Sequence, residues 1–308
     1  MLNKSIRILN LDDSLTKQQK VISRYKAEII DLSDLGPLVR LWMDKKAMDE
    51  VSLRIQGSAS NSITFLGSGD FHHISNILAS RFKEPFCLIV FDSHPDWDIL
   101  PPSLGCGSWV TRTLRNKNIL KCILLGISSS DISSWRIQTG NLGSLKDNRV
   151  EIYPYSHGPS SVFLKRIPQN ISIETKKRFL YDEIYWDQIK GKDLTGFFTS
   201  ILKRLPVKQV YVSIDKDCLK QEHALTNWEE GGLSLDELLL MLRLIKDNLD
   251  IIGMDITGDY SKISLAGKCK GFFSRLDHPK EINAQEFPES FITATNEEAN
   301  LKILELLI

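Results

Sequence analysis

The feature that most constrains this chain is a series of eight short apolar segments that recur along its 308 residues. Each segment is rich in Ile, Val, Leu and Phe, and the apolar residues follow one another without polar alternation. A strand of this kind is buried on both faces, as in a parallel sheet. The segments occupy residues 6–11, 28–32, 63–66, 87–91, 122–127, 150–153, 209–214 and 251–256.

Stretches with helical periodicity lie between and after these segments. The clearest, residues 234–249, begins with a serine cap and an acidic first turn, and residues 193–205 and 296–307 are also amphipathic. Alternating strands and helices predict a three-layer α/β/α domain with a central, mostly parallel sheet of about eight strands. We expect a single domain over residues 1–308, with an insertion or lid within the turn-rich residues 128–188.

Composition narrows the function classes. The 39 Lys and Arg residues balance 39 Asp and Glu residues, and no long basic block is present, which argues against nucleic acid or an anionic membrane as a partner. The five cysteines are odd in number and lack CxxC spacing, so neither a disulfide framework nor a cysteine-rich zinc site is expected. Because the N-terminus is also charged and no long apolar span occurs, we expect a cytoplasmic protein.

Metal-ligand residue types follow three of the apolar segments. In parallel sheets, ligands bind beyond the carboxyl ends of the strands, so these positions are the first candidates for a site. The three sequences are GSGDFHH, with Asp70, His72 and His73; DSHPDWD, with Asp92, His94, Asp96 and Asp98; and DKD, with Asp215 and Asp217.

The spacing of these residues favours a binuclear metal site. Asp92, His94 and Asp96 occupy alternate positions, as do Asp215 and Asp217, so an extended strand end would direct each set to one face. Four carboxylates at two neighbouring strand ends repel one another unless cations bind between them. Oxygen-rich ligands supplemented by histidine suit manganese (Mn²⁺), and bridging aspartates would hold two ions about 3.5–4 Å apart. Either aspartate motif alone is weak, because Asp and His also form solvated turns.

The three motifs together, in this order, resemble the GGDH, DAHxD and SxDxD motifs of the arginase and agmatinase (ureohydrolase) superfamily. The resemblance covers roughly residues 63–260, including EEGGLSLDELL and GMDIT, which are similar to the family's GGL segment and last core strand. It implies a three-layer fold around an eight-stranded parallel sheet, a binuclear manganese centre, a small-molecule substrate and assembly into a homo-oligomer.

The resemblance also implies a role for each metal ligand. Asp92 and Asp215 would bridge the two ions, Asp96 and a histidine of GSGDFHH would complete one ion, and His94 and Asp217 would complete the other. The adjacent histidines are similar to the dyad of the related histone deacetylases, which favours His72 as the ligand and His73 as its neighbour or a proton shuttle. The spacing of GSGDFHH leaves this choice open, because it has one residue more than GGDH.

Departures from the family pattern fall in the substrate pocket. The family has a glutamate shortly after the aspartate of the last core strand, where this chain has Gly258 followed by Asp259. Cys106 stands nearest the place of the family's proton-shuttle histidine. The substrate loop has Asn227 and Trp228 where the family has an Asp-Pro motif. These changes are similar to those of uncharacterised arginase-like proteins that keep the metal ligands, and they argue against arginine or agmatine as the substrate.

The predicted function is that of a binuclear manganese-dependent hydrolase that cleaves a C–N bond of an amidino or amide compound through a metal-bridging hydroxide. His73, Asp98 and Cys106 are the candidate catalytic residues for proton transfer. A deacetylase-like amidohydrolase and a non-catalytic metal- or ligand-binding protein are the alternatives. Lys216, between the two aspartates, is expected to point away from the metals and into solvent at the sheet edge or beside a helix.

Overall fold

The computed structural model describes residues 5–57, 61–102, 104–267, 270–271, 274 and 287–308, and within them the chain forms eleven β-strands and nine α-helices. The strands are β1 Ile6–Asn10, β2 Glu28–Asp31, β3 Ile63–Gly67, β4 Phe86–Phe91, β5 Ile119–Leu125, β6 Val150–Tyr153, β7 Ser160–Phe163, β8 Ile173–Lys177, β9 Tyr181–Trp186, β10 Gln209–Asp215 and β11 Asp250–Thr257. The helices are α1 Gln19–Tyr25, α2 Gly36–Val39, α3 Lys45–Arg54, α4 Ser75–Ala79, α5 Trp109–Thr113, α6 Leu142–Lys146, α7 Leu194–Leu202, α8 Leu235–Asn248 and α9 Glu289–Leu307.

Eight of the strands form one sheet in the order β2-β1-β3-β11-β10-β4-β5-β6, and every neighbouring pair is parallel. They are the eight segments that the apolar pattern predicted. β3 and β4 are buried along their whole length, and one apolar cluster lies on each side of the sheet. The predicted three-layer α/β/α architecture is confirmed, because continuous apolar strands need a cover on both faces.

The three predicted helices are present. Ser234 caps α8 in a capping box, in which its side chain accepts from the Glu237 amide and Glu237 accepts from the Ser234 amide. Asp193 caps α7 in the same manner, accepting from the Gly196 amide. α9 begins at Glu289 rather than near 296, because a proline cap at Pro288 starts the helix seven residues earlier.

The order of strands in the sheet brings the three motifs together. β11, the last strand of the sheet in the sequence, lies between β3 and β10, and β10 pairs with β4 on its other side. Because all these strands run in the same direction, their carboxyl ends meet at one edge of the sheet. The loops after β3, β4 and β10, which carry GSGDFHH, DSHPDWD and DKD, therefore converge there.

A second, smaller sheet lies within residues 128–188, where the sequence predicted an insertion or lid. Its three antiparallel strands have the order β7-β9-β8, with Val162 opposite Asp182 and Thr175 opposite Ile184. The lid function stays a prediction. Among the described residues, no helix has the length and apolar character that crossing a bilayer requires.

Candidate metal centre

Turns, rather than extended strand ends, direct the predicted ligands toward one another. β4 ends at Phe91, and Asp96 has φ +47°, so the chain curls back after Asp92 instead of continuing as a strand. After β10, residues Lys216–Cys218 form a 3₁₀ turn whose N-cap is Asp215. The alternation argument therefore brings the right residues together for a partly wrong reason: the convergence depends on loop curvature.

The first group of ligand atoms surrounds His72, in the buried 3₁₀ turn after β3. Its Nδ1 atom lies 3.0 Å from Asp92 Oδ2, 3.2 Å from Asp96 Oδ2 and 3.6 Å from Asp215 Oδ2. These side chains come from the carboxyl ends of three different strands. A histidine nitrogen among three carboxylate oxygens is an arrangement that can hold a metal ion.

The tautomer of His72 supports this interpretation. Ser213 Oγ donates to Asp255 Oδ1 at 2.6 Å, so its lone pairs are left to accept from His72 Nε2 at 2.8 Å. With its proton on Nε2, the neutral ring presents the Nδ1 lone pair to the carboxylates. Neither His72 Nδ1 nor Asp92 Oδ2 has a hydrogen-bond partner among the described residues. A cation or an additional proton must therefore lie between them.

The second group of ligand atoms surrounds His94. Its Nδ1 atom lies 2.9 Å from Asp217 Oδ2 and 3.6 Å from Asp92 Oδ1, and its Nε2 atom faces Glu229 Oε2 at 3.2 Å. The Ser93 amide donates to Asp217 Oδ1 at 2.9 Å, which ties the β4 loop to the β10 turn. Asp92 thus contributes one carboxylate oxygen to each group, and the two groups form a continuous cluster.

The cluster is electrostatically strained as a set of carboxylates. Burial and the charge of Asp92 raise the pKa of Asp96 to about 8 and that of Asp217 to about 6. Burial, with the charges of Asp217 and Asp92, also raises the pKa of Asp215. Burial would raise the pKa of Asp92 as well, but its contacts with His72 and His94 hold it below the usual range. Four carboxylates at this spacing cannot all ionise without a counter-charge, which divalent cations would supply.

Trp109 orients the first group, a role that the sequence did not reveal. Its indole Nε1 donates to Asp96 Oδ2 at 2.7 Å, and its ring packs on the His72 imidazole with centroids 4.7 Å apart. Trp109 is fully buried. Ser213 and Asp255 have the same kind of supporting role behind His72. The only signal for them in the sequence is a polar residue inside each of two otherwise apolar strands.

A cavity of about 710 Å³ opens above the cluster. Five of the six predicted ligands line it, and His72 lies beneath them. Its walls include two of the predicted catalytic residues, Asp98 and Cys106, together with Trp228. Thr139 Oγ1 donates to Asp98 Oδ1 at 2.9 Å, and burial raises the pKa of Asp98.

Three other predicted site residues lie away from the cavity. Asp259 is buried behind the metal cluster, where Lys216 Nζ donates to its Oδ1 atom at 2.8 Å and Gln18 Nε2 donates at 2.5 Å. Asn227 is buried in hydrogen bonds to Ser68 and Ser261. His73 is buried beside His72, and burial lowers its pKa to about 3, which keeps it neutral.

The expectation for Lys216 is wrong in one respect. The side chain points away from the ligand cluster, as expected, but it is fully buried instead of solvated. Its ion pair with Asp259 explains the difference, because a buried ammonium requires a counter-charge. Asp259 thereby stabilises the turn that carries Asp215 and Asp217, and the structure gives no support to its predicted contact with substrate.

Gly258 has no space for the glutamate that the family pattern would put there. Its φ is +88°, and a Cβ atom on it would lie 2.4 Å from Asp215 Oδ1 and 2.6 Å from the Lys216 amide nitrogen. The glycine is required by close approach to the metal cluster. The cavity instead receives a carboxylate from Glu229, on the opposite loop, and a guanidinium from Arg136, which pairs with Asp131 at 2.8 Å. Sequence reasoning missed both residues.

The fold and site together define an α/β protein of the arginase-like class. Residues 168–258 match the sequence model of the arginase family. An uncharacterized protein of Thermotoga maritima is 29% identical over 197 residues, a match that covers 64% of this chain and 58% of the relative. The chain therefore spans less than two thirds of the length of that relative.

Solved structures of known hydrolases share the fold. Proclavaminate amidino hydrolase from Streptomyces clavuligerus superposes with a TM-score of 0.56 at 14% identity, over 100% of this chain and 92% of that chain. Arginase of Entamoeba histolytica superposes with a TM-score of 0.59 at 11% identity, over 99% of both chains. Formimidoylglutamase of Bacillus subtilis gives 0.54 at 15% identity, over 98% and 86% of the two chains. The predicted resemblance to the arginase and agmatinase superfamily and its fold is confirmed.

Proposed function

We propose that this chain is a binuclear manganese-dependent hydrolase that cleaves a C–N bond of an amidino or amide small molecule other than arginine or agmatine. The observation that carries the proposal is the shared position of Asp92, which faces His72 and Asp96 with one oxygen and His94 and Asp217 with the other. One carboxylate between two histidine-containing groups is the arrangement that a pair of ions requires. The hydrolase folds of the solved relatives support the same reaction type.

The donor set fits the metal. Four carboxylates and two imidazoles are hard and borderline ligands that suit Mn²⁺ better than a structural zinc ion. His72 and Asp96 would hold one ion, His94 and Asp217 the other, and Asp92 and Asp215 would lie between them. Two bound ions supply an activated water and stabilise negative charge on the substrate.

The chain's own residues position the substrate and move protons. Trp228 forms a cavity wall beside the cluster, with its ring 5.2 Å from that of His94 and its Nε1 atom 3.1 Å from Asp70 Oδ1. Asp98 and Cys106 line the same cavity and are the candidates for carrying a proton to the leaving nitrogen. A raised pKa suits Asp98 to that role, because a protonated carboxyl can donate.

Glu229 replaces the carboxylate that Gly258 cannot supply. Its Oε2 atom accepts from His94 Nε2, so the carboxylate lies directly beside the second ligand group at the cavity surface. A cationic nitrogen of the substrate would meet this carboxylate from a different side than in a pocket with a glutamate on the last strand. The change of direction is our reason to exclude arginine and agmatine.

The alternatives differ in what they require of His73. A deacetylase-like amidohydrolase would use His72 and His73 as a pair facing the substrate. The structure keeps His73 buried and neutral, outside the residues that line the cavity. The geometry therefore favours the binuclear proposal over this alternative. A non-catalytic binding protein would retain the same metal ligands and differs only in having no turnover.

Metal content tests the proposal first. The protein is reloaded with Mn²⁺ after chelation, and bound metal is counted by mass spectrometry for the wild type, Asp92→Asn and Asp215→Asn. We expect two ions per chain in the wild type and loss of both in the variants. Asp131→Asn, which removes a cavity carboxylate outside the ligand groups, is the matched control and should retain two. One ion per chain, or equal content in all four proteins, would contradict the binuclear centre.

Turnover tests the second half of the proposal. The loaded protein is assayed for ammonia or amine release across amidines, guanidines and primary amides. Glu229→Gln retains an acceptor for His94 but removes the charge, so we expect at least a tenfold rise in KM for cationic substrates and little change for neutral amides. Full metal content without turnover on any compound would leave the non-catalytic alternative.

The compartment is part of the same proposal. Four cysteines, Cys87, Cys106, Cys122 and Cys218, are free, whereas Cys269 lies outside the described residues. Free buried thiols are typical of a reducing environment, and we place the protein in the cytoplasm.

A further inference from the structure

The smaller sheet presents a strongly exposed apolar surface at one end. Leu164 is 88% exposed, Phe179 is 92% exposed and Leu180 is 60% exposed. We call these three residues the apolar tip. Single apolar residues are common on protein surfaces, but a group of this size at one projecting point usually marks an interaction site.

Backbone hydrogen bonds hold the tip together. The Arg178 amide donates to the Tyr181 carbonyl at 2.9 Å, which closes a turn with Phe179 and Leu180 at its centre. The Leu164 amide donates to the Leu180 carbonyl at 3.1 Å, so the end of β7 lies against this turn. Turn centres ordinarily carry Gly, Asn or Asp. Leu164 also has φ +55°, a conformation that a leucine adopts at a cost, so the local fold gains nothing from these apolar choices.

Basic side chains surround the apolar tip. Residues 164–181 contain five Lys and Arg residues against one acidic residue, Glu174. Lys165, Arg166, Lys177 and Arg178 are all exposed, and we call these four residues the basic collar. The formal net charge of the whole chain is +0, so the composition conceals this local excess. The expectation that the chain avoids anionic surfaces was drawn from that overall balance.

We propose that the apolar tip inserts into the interfacial region of an anionic lipid bilayer while the basic collar contacts the lipid headgroups. Apolar side chains on a convex turn fit a deformable apolar phase, and cationic neighbours fit a negative surface. A second copy of the chain fits less well, because a symmetric contact would place the two basic collars against each other. The proposal is independent of the metal centre and of the proposed reaction.

The docking surface lies beside the cavity. An aromatic strip leads from the tip: Tyr181 packs on Phe163 with ring centroids 5.9 Å apart, and Phe163 packs on Trp135 at the same distance. Trp135 is 83% exposed and directly precedes Arg136, which lines the cavity. A bilayer that meets the apolar tip and this strip would therefore lie next to one wall of the cavity.

Vesicle co-sedimentation with the full chain tests the proposal. We expect binding to vesicles of equal parts phosphatidylglycerol and phosphatidylcholine, weaker binding as salt increases, and at least tenfold weaker binding to phosphatidylcholine alone. Phe179→Ser combined with Leu180→Ser should reduce binding to the anionic vesicles at least tenfold. Leu53→Ser, at a residue 63% exposed on α3, is the control and should bind as the wild type does.

The charge contribution has its own matched pair. Lys165→Glu with Lys177→Glu should also lose at least tenfold in binding, whereas Lys45→Glu with Lys46→Glu changes the net charge equally at exposed positions on α3 and should not. Circular dichroism confirms that each variant is folded. Absence of binding to anionic vesicles, or equal losses in the test and control variants, would overturn the proposal. A wild-type dimer that the Phe179 and Leu180 variant converts to monomer in sedimentation would overturn it in favour of a second copy.

Discussion

Gly258 is the position at which one methyl group should disturb both stability and metal binding. The Gly258→Ala variant forces a side chain into a left-handed backbone, φ +88°, at about 1 kcal/mol. The new Cβ would lie 2.6 Å from the Lys216 amide nitrogen and 2.4 Å from Asp215 Oδ1. Backbone atoms cannot retreat as a flexible side chain does, and overpacking of this kind costs about 1–3 kcal/mol. We expect the variant to lose about 2–4 kcal/mol of unfolding free energy.

Urea denaturation of the metal-free proteins measures this loss, with Gly191→Ala as the control. Gly191 has nearly the same backbone, φ +83°, but a Cβ atom there has no neighbour within 4 Å. Its substitution should cost only the conformational part, about 1 kcal/mol. The difference between the two variants therefore isolates the steric contact with the β10 turn.

Isothermal titration with Mn²⁺ completes the test. A displaced Asp215 should weaken binding in Gly258→Ala, whereas Gly191→Ala should bind as the wild type does. Equal losses of stability in the two variants, together with equal affinity for Mn²⁺, would refute the argument that close approach to the ligand cluster requires a glycine at 258.

Two further predictions concern buried charge. Burial lowers the pKa of His73 to about 3 from an ordinary 6.5, so between these values the unfolded chain binds a proton that the folded chain does not, and stability falls as the pH decreases from 6.5. His73→Leu should remove about 2 kcal/mol of the loss in unfolding free energy between pH 7 and pH 5, whereas His157→Gln should not; equal pH dependence in both variants would contradict this. Asp259→Ala leaves the buried Lys216 ammonium without its counter-ion and should cost about 3–5 kcal/mol in urea unfolding. Combining it with Lys216→Met should recover most of this loss, and a double variant no more stable than the single one would show that the ion pair is not the cause.

The fold was predictable because burial on both faces leaves a direct record in the sequence. All eight strands of the large sheet coincide with continuous apolar segments, and α8 was marked by Ser234 and the acidic residues after it. The strands of the smaller sheet were missed. β8, for example, reads IETKK and is largely exposed, so it lacks the apolar run by which buried strands are found.

The ligands were predictable from their chemical type, and their surroundings were not. Six residues of metal-binding type at three strand ends converge as expected, although through turns such as the one at Asp96. The roles of Trp109 and Glu229 depend on contacts between distant parts of the chain, which no local pattern records. Asp259 was misjudged because sequence proximity to the last core strand does not show on which side of the strand end a side chain lies.

The central position of β11 has a consequence for how the protein is made. β3, which precedes His72, is separated in the sheet from β10 and β4, which precede the other ligands, and β11 is the strand that joins them. A chain emerging from the ribosome can pair β4 with β5 and later with β10, but it cannot bring His72 to Asp92 until residues 250–257 have been synthesised and inserted. Since N-terminal segments become available for folding first, metal acquisition is a late event in the biogenesis of this protein, and a nascent chain stalled before β11 would carry half a site.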